Sequence, residues 1–338
     1  MATTQTTKIQ AKKIKVAING TGRIGLCVAR IIAERDDIEI VAINSTADIA
    51  TLAHLLKFDS VHRHSVEIEV LGDDKIRIGK SKNIRVLSDR DPNKLDFGEA
   101  QCVIECTGKF NSAEKSAQHL HGNVKKVVIS APADNAPMFV YGVNHSAYNG
   151  ESVISNASCT TNCLAPIVAV LHSNFGVECG LMTTIHSYTN DQNVLDVKHK
   201  DLRRARAAAL NMIPTSTGAA KAIGKILPEL DGKLNGVAIR VPTPNVSLVD
   251  LSVRLKKRVS VDIINEAFLE AERQNPQIIH NDTQKLVSSD FIDSRYSSIF
   301  VPDKTLVVDD FNAKVLAWYD NEVGYSARLV DLVAFVNA

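Results

Sequence analysis

The 338-residue chain contains no apolar run that approaches the roughly 20 residues needed to span a bilayer. It also carries little net charge, +1 at pH 7, which argues against a general polyanion-binding function and against nucleic-acid partners. Its six cysteines include no Cys-x-x-Cys pair, and no histidine pair follows them at zinc-ligand spacing. These absences argue against a disulfide framework, and they predict no metal, no membrane partner and a cytoplasmic location.

The N-terminus lacks the apolar segment of a secretory signal. Residues 1–12 are polar and mildly basic, and we interpret them as a disordered tail, with a short transit sequence as the alternative. The remaining length exceeds one small core, while 45% hydrophobic and 23% charged residues are ordinary for a globular enzyme. We therefore expect two domains.

The segment 155–163, SNASCTTNC, places Cys159 among small hydroxyl and amide side chains. A thiol becomes a strong nucleophile when it is deprotonated, and a helix N-terminus or an imidazolium lowers its pKa. The neighbouring hydroxyl and N–H groups are suited to an oxyanion or a phosphate. Taken alone, the segment fits a nucleophile and a buried structural cysteine equally well.

A glycine motif follows the apolar run 13–18, and a helical pattern and a second apolar run at 38–43 come after it. This order predicts a βαβ unit. In the motif Gly20-x-Gly22-x-x-Gly25, the first glycine allows a tight turn and the second a close pyrophosphate approach. The third allows close helix–strand packing. The motif predicts a dinucleotide site, with a glycine-rich turn of another α/β fold as the alternative.

The end of the second strand lacks the acidic residue expected at an NAD site. An Asp or Glu roughly 20 residues beyond the glycines would bind the ribose hydroxyls, but Ser45 occupies that position here. A carboxylate would repel a 2′-phosphate, whereas Ser45 and Thr46 could donate hydrogen bonds to one. We therefore expect use of NADP at least as readily as NAD. In the alternative, Ser45 merely ends the strand and Asp48 reaches back to the ribose.

The rest of the chain changes character near Cys159. Before it, further strand candidates lie at 66–70, 84–87, Cys102–Glu105, 127–129 and 152–154, and several are short and apolar, as in a parallel sheet buried on both faces. After it, longer strands are expected at 237–241, Ser247–Leu255 and 315–319, with helices near 217–227, 260–273 and 324–336. The predicted fold class is α/β plus α+β, with a Rossmann-type parallel-sheet domain and a mixed-sheet domain.

Eight segments, in order, resemble the phosphorylating glyceraldehyde-3-phosphate dehydrogenase family. They are INGTGRIG at 18–25, ECTGKF at 105–110, SNASCTTNC at 155–163, HSYTNDQ at 186–192, RRARAAA at 203–209, PTSTGAAKA at 214–222, IRVPTPNVSLVD at 239–250 and WYDNEVGYS at 318–326. The resemblance extends from about Lys13 to the C-terminus. It implies a dinucleotide-binding domain over 13–158, joined by a C-terminal helix at 324–338. It also implies a catalytic and tetramerisation domain over 159–323, and hence a homotetramer.

The resemblance also implies the role of each site residue. Cys159 is the nucleophile and His186 its base. The substrate's C3 phosphate is expected at Thr189, Asp191 and Arg240, and inorganic phosphate at Ser158, Thr160, Thr217 and Gly218, with Arg204 nearby. The expected cofactor-binding residues are Gly20, Gly22, Arg23, Ile24, Gly25, Ser45, Thr46, Arg90, Thr107, Gly108, Ser130, Lys198, Asn321 and Tyr325, of which Asn321 would hold the nicotinamide carboxamide.

The chemistry of aldehyde oxidation requires these side-chain types. Addition of a thiolate to the aldehyde gives a hemithioacetal, whose carbon can release hydride to C4 of the nicotinamide while a histidine removes the hydroxyl proton. Phosphate attack on the resulting thioester gives an acyl phosphate, so two anion sites should flank one cysteine, and the planar guanidinium of Arg240 suits one of them. The predicted reaction is reversible oxidation of D-glyceraldehyde 3-phosphate to 1,3-bisphosphoglycerate, in glycolysis or gluconeogenesis.

Pro166 affects the predicted start of the helix that carries Cys159. A proline normally lies in the first turn of a helix, so the sequence alone would begin this helix near Ala165. The resemblance begins it at Cys159, with Pro166 inside. We follow the resemblance, because only that start places a helix N-terminus under the thiol.

The segment 186–206 resembles the family's S-shaped loop, which packs against a neighbouring subunit's cofactor. Lys198 lies where NAD-restricted members commonly carry a proline, near the neighbour's adenine ribose. A lysine there would attract a 2′-phosphate, and Arg90 is expected within reach of the same adenosine. The other basic residues of 198–206 we interpret as solvated or salt-bridged between subunits.

Two other functions remain open. Erythrose-4-phosphate dehydrogenase uses the same cysteine chemistry but tends to hydrolyse its thioester. A binding or redox-sensing role is the second alternative, because a low-pKa thiol is readily oxidised and Cys163 lies four residues away. No motif includes the remaining histidines that we interpret as solvated or structural, namely His54, His62, His64 and His145.

Overall fold

A computed structural model describes residues 13–63 and 66–338, so the predicted tail of residues 1–12 and His64 lie outside the described residues. The described residues form two eight-stranded sheets, each with its own hydrophobic core. The predicted fold class, a Rossmann-type domain with a mixed-sheet domain, is confirmed. The domain boundary at residue 158 stays a prediction.

The first sheet carries the glycine motif. Its strands are β1 Ile14–Asn19, β2 Ile38–Asn44, β3 Ile68–Val70, β4 Lys75–Ile78, β5 Ser81–Leu87, β6 Cys102–Glu105, β7 Lys126–Ile129 and β8 Val153–Ser155. Their order is β3-β4-β5-β2-β1-β6-β7-β8, parallel from β5 to β8 and antiparallel between β3, β4 and β5. The order reverses direction on either side of β1, and ligands of open α/β sheets bind in the crevice at such a point.

The second sheet carries the predicted base and phosphate ligand. Its strands are β9 Val177–Ser187, β10 Ile213–Ser216, β11 Leu234–Val241, β12 Ser247–Leu255, β13 Ile279–Asn281, β14 Ser298–Phe300, β15 Leu306–Val308 and β16 Asn312–Tyr319. The order is β10-β11-β9-β12-β16-β14-β13, with β15 beside β16, and parallel and antiparallel pairs are mixed.

The α-helices are α1 Arg23–Glu34, α2 Ile49–Lys57, α3 Ala113–Ser116, α4 Cys159–Phe175, α5 Ala219–Ile226, α6 Val261–Gln274 and α7 Val323–Val336. The apolar face of α7 joins the core of the first sheet, where Leu329 and Leu332 are buried in one cluster with Val16. In the part of the chain that the structure describes, no helix combines the length and apolar character that crossing a bilayer requires.

Helix α4 begins at Cys159 and contains Pro166, so the start near Ala165 is wrong. Proline disfavours a helix interior because it lacks an N–H. Here Ser158 caps the helix by accepting a hydrogen bond from the N–H of Thr161, and most of the helix is buried, Pro166 included. The cap and the burial outweigh the local preference of one residue.

Candidate active site

The thiol of Cys159 lies at the N-terminus of α4, directly opposite the imidazole of His186 on β9. The distance from Sγ to Nε2 is 3.5 Å. The Nδ1–H of His186 donates to the carbonyl oxygen of Ser187 at 2.6 Å, which assigns the proton of the neutral ring to Nδ1. Nε2 is therefore the free base, and it faces the sulfur.

Burial is the largest influence on the pKa of both groups. It raises the pKa of the Cys159 thiol, against the charge of Arg240 and the N–H groups of Thr160 and Cys159, which lower it. Burial and then Arg240 lower the pKa of His186 to about 3. Transfer of the proton from Sγ to Nε2 forms two opposite charges, which attract each other by about 4 kcal/mol at 4 Å and an effective dielectric constant near 20. Burial thus favours the neutral thiol and imidazole, and the attraction between the two charges offsets part of its cost when the proton moves from Sγ to Nε2.

Tyr319 on β16 packs against this pair, and the sequence analysis did not identify it. Its hydroxyl is hydrogen-bonded to the hydroxyls of Thr160 at 2.8 Å and Thr184 at 2.9 Å. Its ring meets the ring of His186 edge-on, with centroids 6.1 Å apart. The segment WYDNEVGYS contained this tyrosine, but no local pattern connects β16 with α4 and β9.

Arg240 forms a cationic site beside His186, because β11 and β9 pair in parallel with these two residues in register. Its Nη1 donates to the carbonyl oxygen of Ser187 and to the hydroxyl of Thr189, both at 3.1 Å. Its buried Nε has no hydrogen-bond partner among the described residues. A partly buried guanidinium with an unused donor is suited to an anion.

Asp191 and Arg204, which were expected at two different phosphate sites, form an ion pair with each other. Nη1 of Arg204 donates to Asp191 at 2.5 Å, and Nε donates to the hydroxyl of Thr215 at 3.0 Å. The carboxylate of Asp191 also lies 3.4 Å from the ring of His199. Arg204 in turn contacts the carbonyl oxygen of Ser216, which places it next to Thr217.

The four residues expected at the inorganic-phosphate site lie at two helix N-termini. The hydroxyl of Ser158 is hydrogen-bonded to Thr161, and that of Thr160 is buried against Tyr319. At α5, the hydroxyl of Thr217 accepts from the N–H of Ala219, and Gly218 offers no side-chain cap. Because side chains leave part of the helix-end N–H groups free, both ends retain anion-binding capacity.

A cleft of about 710 Å³ runs along the carboxyl edge of the first sheet. Gly20 has a positive φ of 99°, and a Cβ at Gly25 would collide with the carbonyl oxygen of Gly20. The space around Gly22 is open, and α1 has no side-chain cap at its N-terminus. The cradle therefore fits the pyrophosphate of a dinucleotide.

The predicted cofactor residues have different positions around this cleft. Those that line it are Gly20, Gly22, Thr46, Arg90 and Thr107. The side chain of Arg23 turns away to Asp59 and Glu322, and Ile24 packs against the core. Gly108 has a positive φ of 68°, and the N–H of Ser130 donates to the carbonyl oxygen of Glu105.

Asn321 and Tyr325 lie at the start of α7. The side-chain oxygen of Asn321 accepts from Ser247 at 2.8 Å, which fixes the orientation of the amide. The hydroxyl of Tyr325 donates to the carbonyl oxygen of Ala157 at 3.0 Å, two residues before the nucleophile. An amide with a fixed orientation is suited to the carboxamide of a nicotinamide.

The geometry around Ser45 differs from the expectation. Its side chain is 2% exposed, and its hydroxyl shares a hydrogen bond with Thr21 at 2.7 Å and accepts from the N–H of Ala47 at 3.1 Å. The exposed Thr46 and Arg90 face the cleft instead. Asp48 caps α2, with both carboxylate oxygens bonded to Thr51, so its side chain is held away from the ribose role considered in the alternative.

A buried polar network under the cleft was also missed. The carboxylate of Glu105 accepts hydrogen bonds from Asn19 at 2.6 Å, from the N–H of Thr107 at 2.7 Å and from His119 at 3.1 Å. It thereby connects the ends of β1 and β6. The segment ECTGKF contained Glu105, but no sequence pattern indicated its partners.

Lys198 lies on the exposed loop between β9 and β10, and it is not among the described residues that line this chain's own cleft. The same loop exposes several large apolar side chains, namely Val194, Leu195, Val197 and Leu202. A loop that exposes such a group is typical of a protein–protein contact.

Comparison with known proteins identifies the family. Residues 14–113 match the model for the glyceraldehyde 3-phosphate dehydrogenase NAD binding domain, and residues 158–321 match the model for its C-terminal domain. The chain is 52% identical to a glyceraldehyde-3-phosphate dehydrogenase of Geobacillus stearothermophilus over 330 residues, which cover 96% of this chain and 98% of that protein. It is 51% identical to one from Cereibacter sphaeroides over 324 residues, covering 94% and 97%. The chain therefore belongs to the glyceraldehyde-3-phosphate dehydrogenase family.

Proposed function

We propose that the protein catalyses the reversible, phosphorylating oxidation of D-glyceraldehyde 3-phosphate to 1,3-bisphosphoglycerate with a nicotinamide cofactor. The observation that carries this proposal is the 3.5 Å approach of Cys159 Sγ to His186 Nε2 beside the partly buried cation of Arg240. A nucleophile, a base and an anion site thus lie together at the carboxyl end of β9 and the N-terminus of α4.

In the first half of the reaction, Cys159 forms and holds the covalent intermediate. The thiolate adds to the aldehyde carbon, and the protonated His186 returns its proton to the resulting oxyanion, which gives a hemithioacetal and a neutral imidazole, while Arg240 and Thr189 bind the C3 phosphate. The bound cofactor supplies the hydride acceptor. His186 takes the hydroxyl proton on Nε2 as the hydride leaves, and the product is a thioester on Cys159.

In the second half, inorganic phosphate attacks the thioester carbon. The acyl group passes to a phosphate oxygen, and the sulfur leaves as the thiolate that begins the next cycle. The N–H groups at the starts of α4 and α5, together with Thr217 and Arg204, support phosphate at this position. A second anion site is required because both the substrate and the attacking group carry phosphate charge.

The dependence of the oxidation on inorganic phosphate tests this function. Without phosphate, we expect a single burst of reduced cofactor equal to the concentration of Cys159, followed by slow turnover, because the thioester accumulates. The steady-state rate should then rise with phosphate until it saturates. Stopped-flow measurement of reduced cofactor checks both phases. A steady-state rate that is insensitive to phosphate would favour erythrose-4-phosphate dehydrogenase instead.

For the cofactor, the proposal is use of NADP at least as readily as NAD. The position at the end of β2 carries no carboxylate, and Thr46 and Arg90 line the cleft where an adenosine would lie. The hydroxyl of Ser45 is engaged within the protein, so its contribution is the absence of a repelling charge. Lys198 would add attraction from a neighbouring subunit.

Two substitutions test this cofactor preference. Ser45→Asp is expected to lower kcat/KM for NADP by about tenfold or more, because it introduces a negative charge at the end of β2, next to Thr46 and the part of the cleft where a 2′-phosphate would lie. Lys198→Pro should lower the same constant and leave that for NAD nearly unchanged. Steady-state kinetics with both cofactors measures the ratio.

Two matched controls isolate the effect of charge at these positions. Ser45→Ala deletes the hydroxyl without adding charge, and Lys200→Ala removes another lysine of the same loop, so both should retain the ratio of the unmodified enzyme. A strong preference for NAD in the unmodified enzyme, unchanged by Ser45→Asp and Lys198→Pro, would contradict the cofactor proposal.

We further propose a cytoplasmic homotetramer whose partners are the small-molecule substrate and inorganic phosphate. The exposed apolar residues of the loop between β9 and β10 support a contact between subunits there. Exposed apolar side chains on β9 and β11, namely Leu181 and Val237, extend the same apolar character over the second sheet.

A further inference from the structure

His62 occupies a buried position that neither the sequence motifs nor the proposed chemistry explains. It lies in the segment after α2, and its side chain is 1% exposed. Its Nδ1 lies 2.6 Å from the carboxylate of Asp293, and its Nε2 lies 2.7 Å from that of Glu322. Because both neighbours accept hydrogen bonds, both ring nitrogens donate and the ring is an imidazolium.

The carboxylate of Glu322 connects this imidazolium with the glycine turn. It accepts three hydrogen bonds from Arg23, from Nε at 2.9 and 3.1 Å and from Nη2 at 2.6 Å. Arg23 is the residue directly after Gly22. Its third nitrogen, Nη1, donates to the buried Asp59 at 2.7 Å. The carboxylate of Glu322 thus binds two cations, Arg23 and His62, which lie on different segments of the domain that contains the first sheet.

The same contacts enclose the turn that carries Asn321. The carboxylate of Asp320 accepts from the N–H of Glu322 at 2.8 Å and from the N–H of Asp293 at 2.9 Å. His62 then joins the side chains of Asp293 and Glu322, which closes a ring of hydrogen bonds. Asn321 lies between two members of this ring, so its backbone position depends on it.

A metal site is the competing interpretation of this cluster. Cys27 Sγ, a ring nitrogen of His62 and a carboxylate oxygen of Glu322 lie within 4.8 Å of one another, and these atom types bind zinc. A histidine binds a metal through a lone pair, however, and hydrogen bonds from both ring nitrogens of His62 leave none available. The pairing with two carboxylates therefore favours a proton at this position.

We propose that His62 is a positioning residue for the cofactor, which holds the pyrophosphate-binding turn at Arg23 and the carboxamide-binding Asn321 at a fixed separation through Glu322. This inference rests on the proposed function, since that function assigns the two ends of the cleft. Without the imidazolium, the carboxylates of Glu322 and Asp293 lose the cation that both of them bind, and the turn 320–322 shifts.

The test compares His62→Gln with His54→Gln, which changes an exposed histidine of α2. We expect His62→Gln to raise the Kd for the cofactor about tenfold, equivalent to about 1.4 kcal/mol, and to lower kcat, with KM for glyceraldehyde 3-phosphate within about twofold. His54→Gln should change none of these. Asp293→Asn, at a more exposed side chain, should produce a smaller effect in the same direction and keeps the test open if His62→Gln folds poorly.

A double-variant cycle separates positioning from general stability. If His62 acts through Glu322, then adding His62→Gln to Glu322→Gln should raise the cofactor Kd no further, whereas independent effects would add. If the unmodified enzyme binds cofactor and His62→Gln lowers Tm but leaves the cofactor Kd unchanged, the positioning role is overturned and the proposed function stands. If the unmodified enzyme binds neither NAD nor NADP, the proposed function itself fails.

The alkaline stability profile provides a second readout. Burial alone would lower the pKa of His62, but hydrogen bonds to Cys27 and Glu322 outweigh it and raise the pKa to about 11. The stability gained from the imidazolium is therefore complete below the ordinary value of 6.5 and is lost as the pH rises toward 11. The Tm difference between the unmodified enzyme and His62→Gln should shrink over this range. The other charged or titratable groups around the His62 imidazole are Cys27, Asp59, Asp293, Asp320, Glu322, Arg23 and Arg30, with Glu34 and Arg295 lining the same small cavity.

Discussion

Replacement of Cys159 by serine is expected to lower kcat for aldehyde oxidation by about 10⁴-fold, the scale on which loss of a nucleophile reduces covalent catalysis. A serine hydroxyl retains the size of the thiol, but the imidazole of His186 is too weak a base to remove its proton. The covalent adduct that releases hydride then does not form. Measurement of reduced cofactor at saturating substrate and phosphate gives the change directly.

The controls for this variant use the other cysteines. Cys179→Ser changes an exposed thiol on β9 and should retain full activity. Cys163→Ser changes a buried thiol one turn along α4, whose Sγ lies 3.9 Å from the carbonyl oxygen of Ala317, and should affect stability more than kcat. If Cys159→Ser lost activity but kept the full cellular role, the binding or redox-sensing alternative would be favoured over catalysis.

The parts of the site that are contiguous in sequence could be predicted from it. The glycines of 20–25 are required by close backbone approaches within one turn, so the residue types themselves report the geometry. Cys159 lies at a strand-to-helix transition that hydrophobic patterns locate. The start of α4 needed the family resemblance, because the local preference of Pro166 pointed to a later residue.

The parts formed by distant segments could not be predicted in this way. Tyr319 reaches Thr160 and Thr184 across three elements, and His62 reaches residues more than two hundred positions away. Such pairs follow from the packing of the two sheets, which no local pattern encodes. Ser45 shows a different limit of prediction from sequence. The sequence correctly identified a strand end without a carboxylate, but the direction of the hydroxyl depends on Thr21 and the N–H of Ala47.

The ring of hydrogen bonds at His62 holds the start of α7 against the glycine turn, and the proposed hydride transfer requires these parts to keep fixed positions. In the proposed reaction, hydride transfer needs the nicotinamide, which we propose is held by Asn321, to keep a fixed position relative to Cys159. Tyr325 bonds the backbone of Ala157 from the same helix that Glu322 precedes. The start of α7 is therefore tied to the glycine turn through Arg23 and to the nucleophile through Ala157. One helix start thus aligns the cofactor cradle with the thiol.

The second prediction with a large expected effect concerns His186, the proposed general base. His186→Asn is expected to lower kcat by about 10² to 10⁴-fold, the range typical of general-base loss, because no group remains to accept the hydroxyl proton as hydride leaves. Asparagine is short and neutral, so Arg240 and the anion sites remain in place. Because His186 is not among the residues proposed to bind the cofactor, the KM for cofactor should stay within about twofold of the value for the unmodified enzyme.

The same variant should change the pH dependence of thiol reactivity, and the sign follows from the charges. In the unmodified enzyme, we expect the proton leaving Sγ to move to Nε2, 3.5 Å away, so that the imidazolium formed with the thiolate offsets part of the cost of burial and lowers the apparent pKa of Cys159. In His186→Asn, Arg240, the N–H groups of Thr160 and Cys159 and the hydroxyl of Thr160 still oppose burial, but the imidazolium is gone, so the apparent pKa rises. The rate of iodoacetamide alkylation at pH 7 should therefore fall in the variant and recover as the pH is raised. Equal alkylation profiles for the two proteins would show that His186 does not activate the thiol, and the role of base would then have to lie with another group.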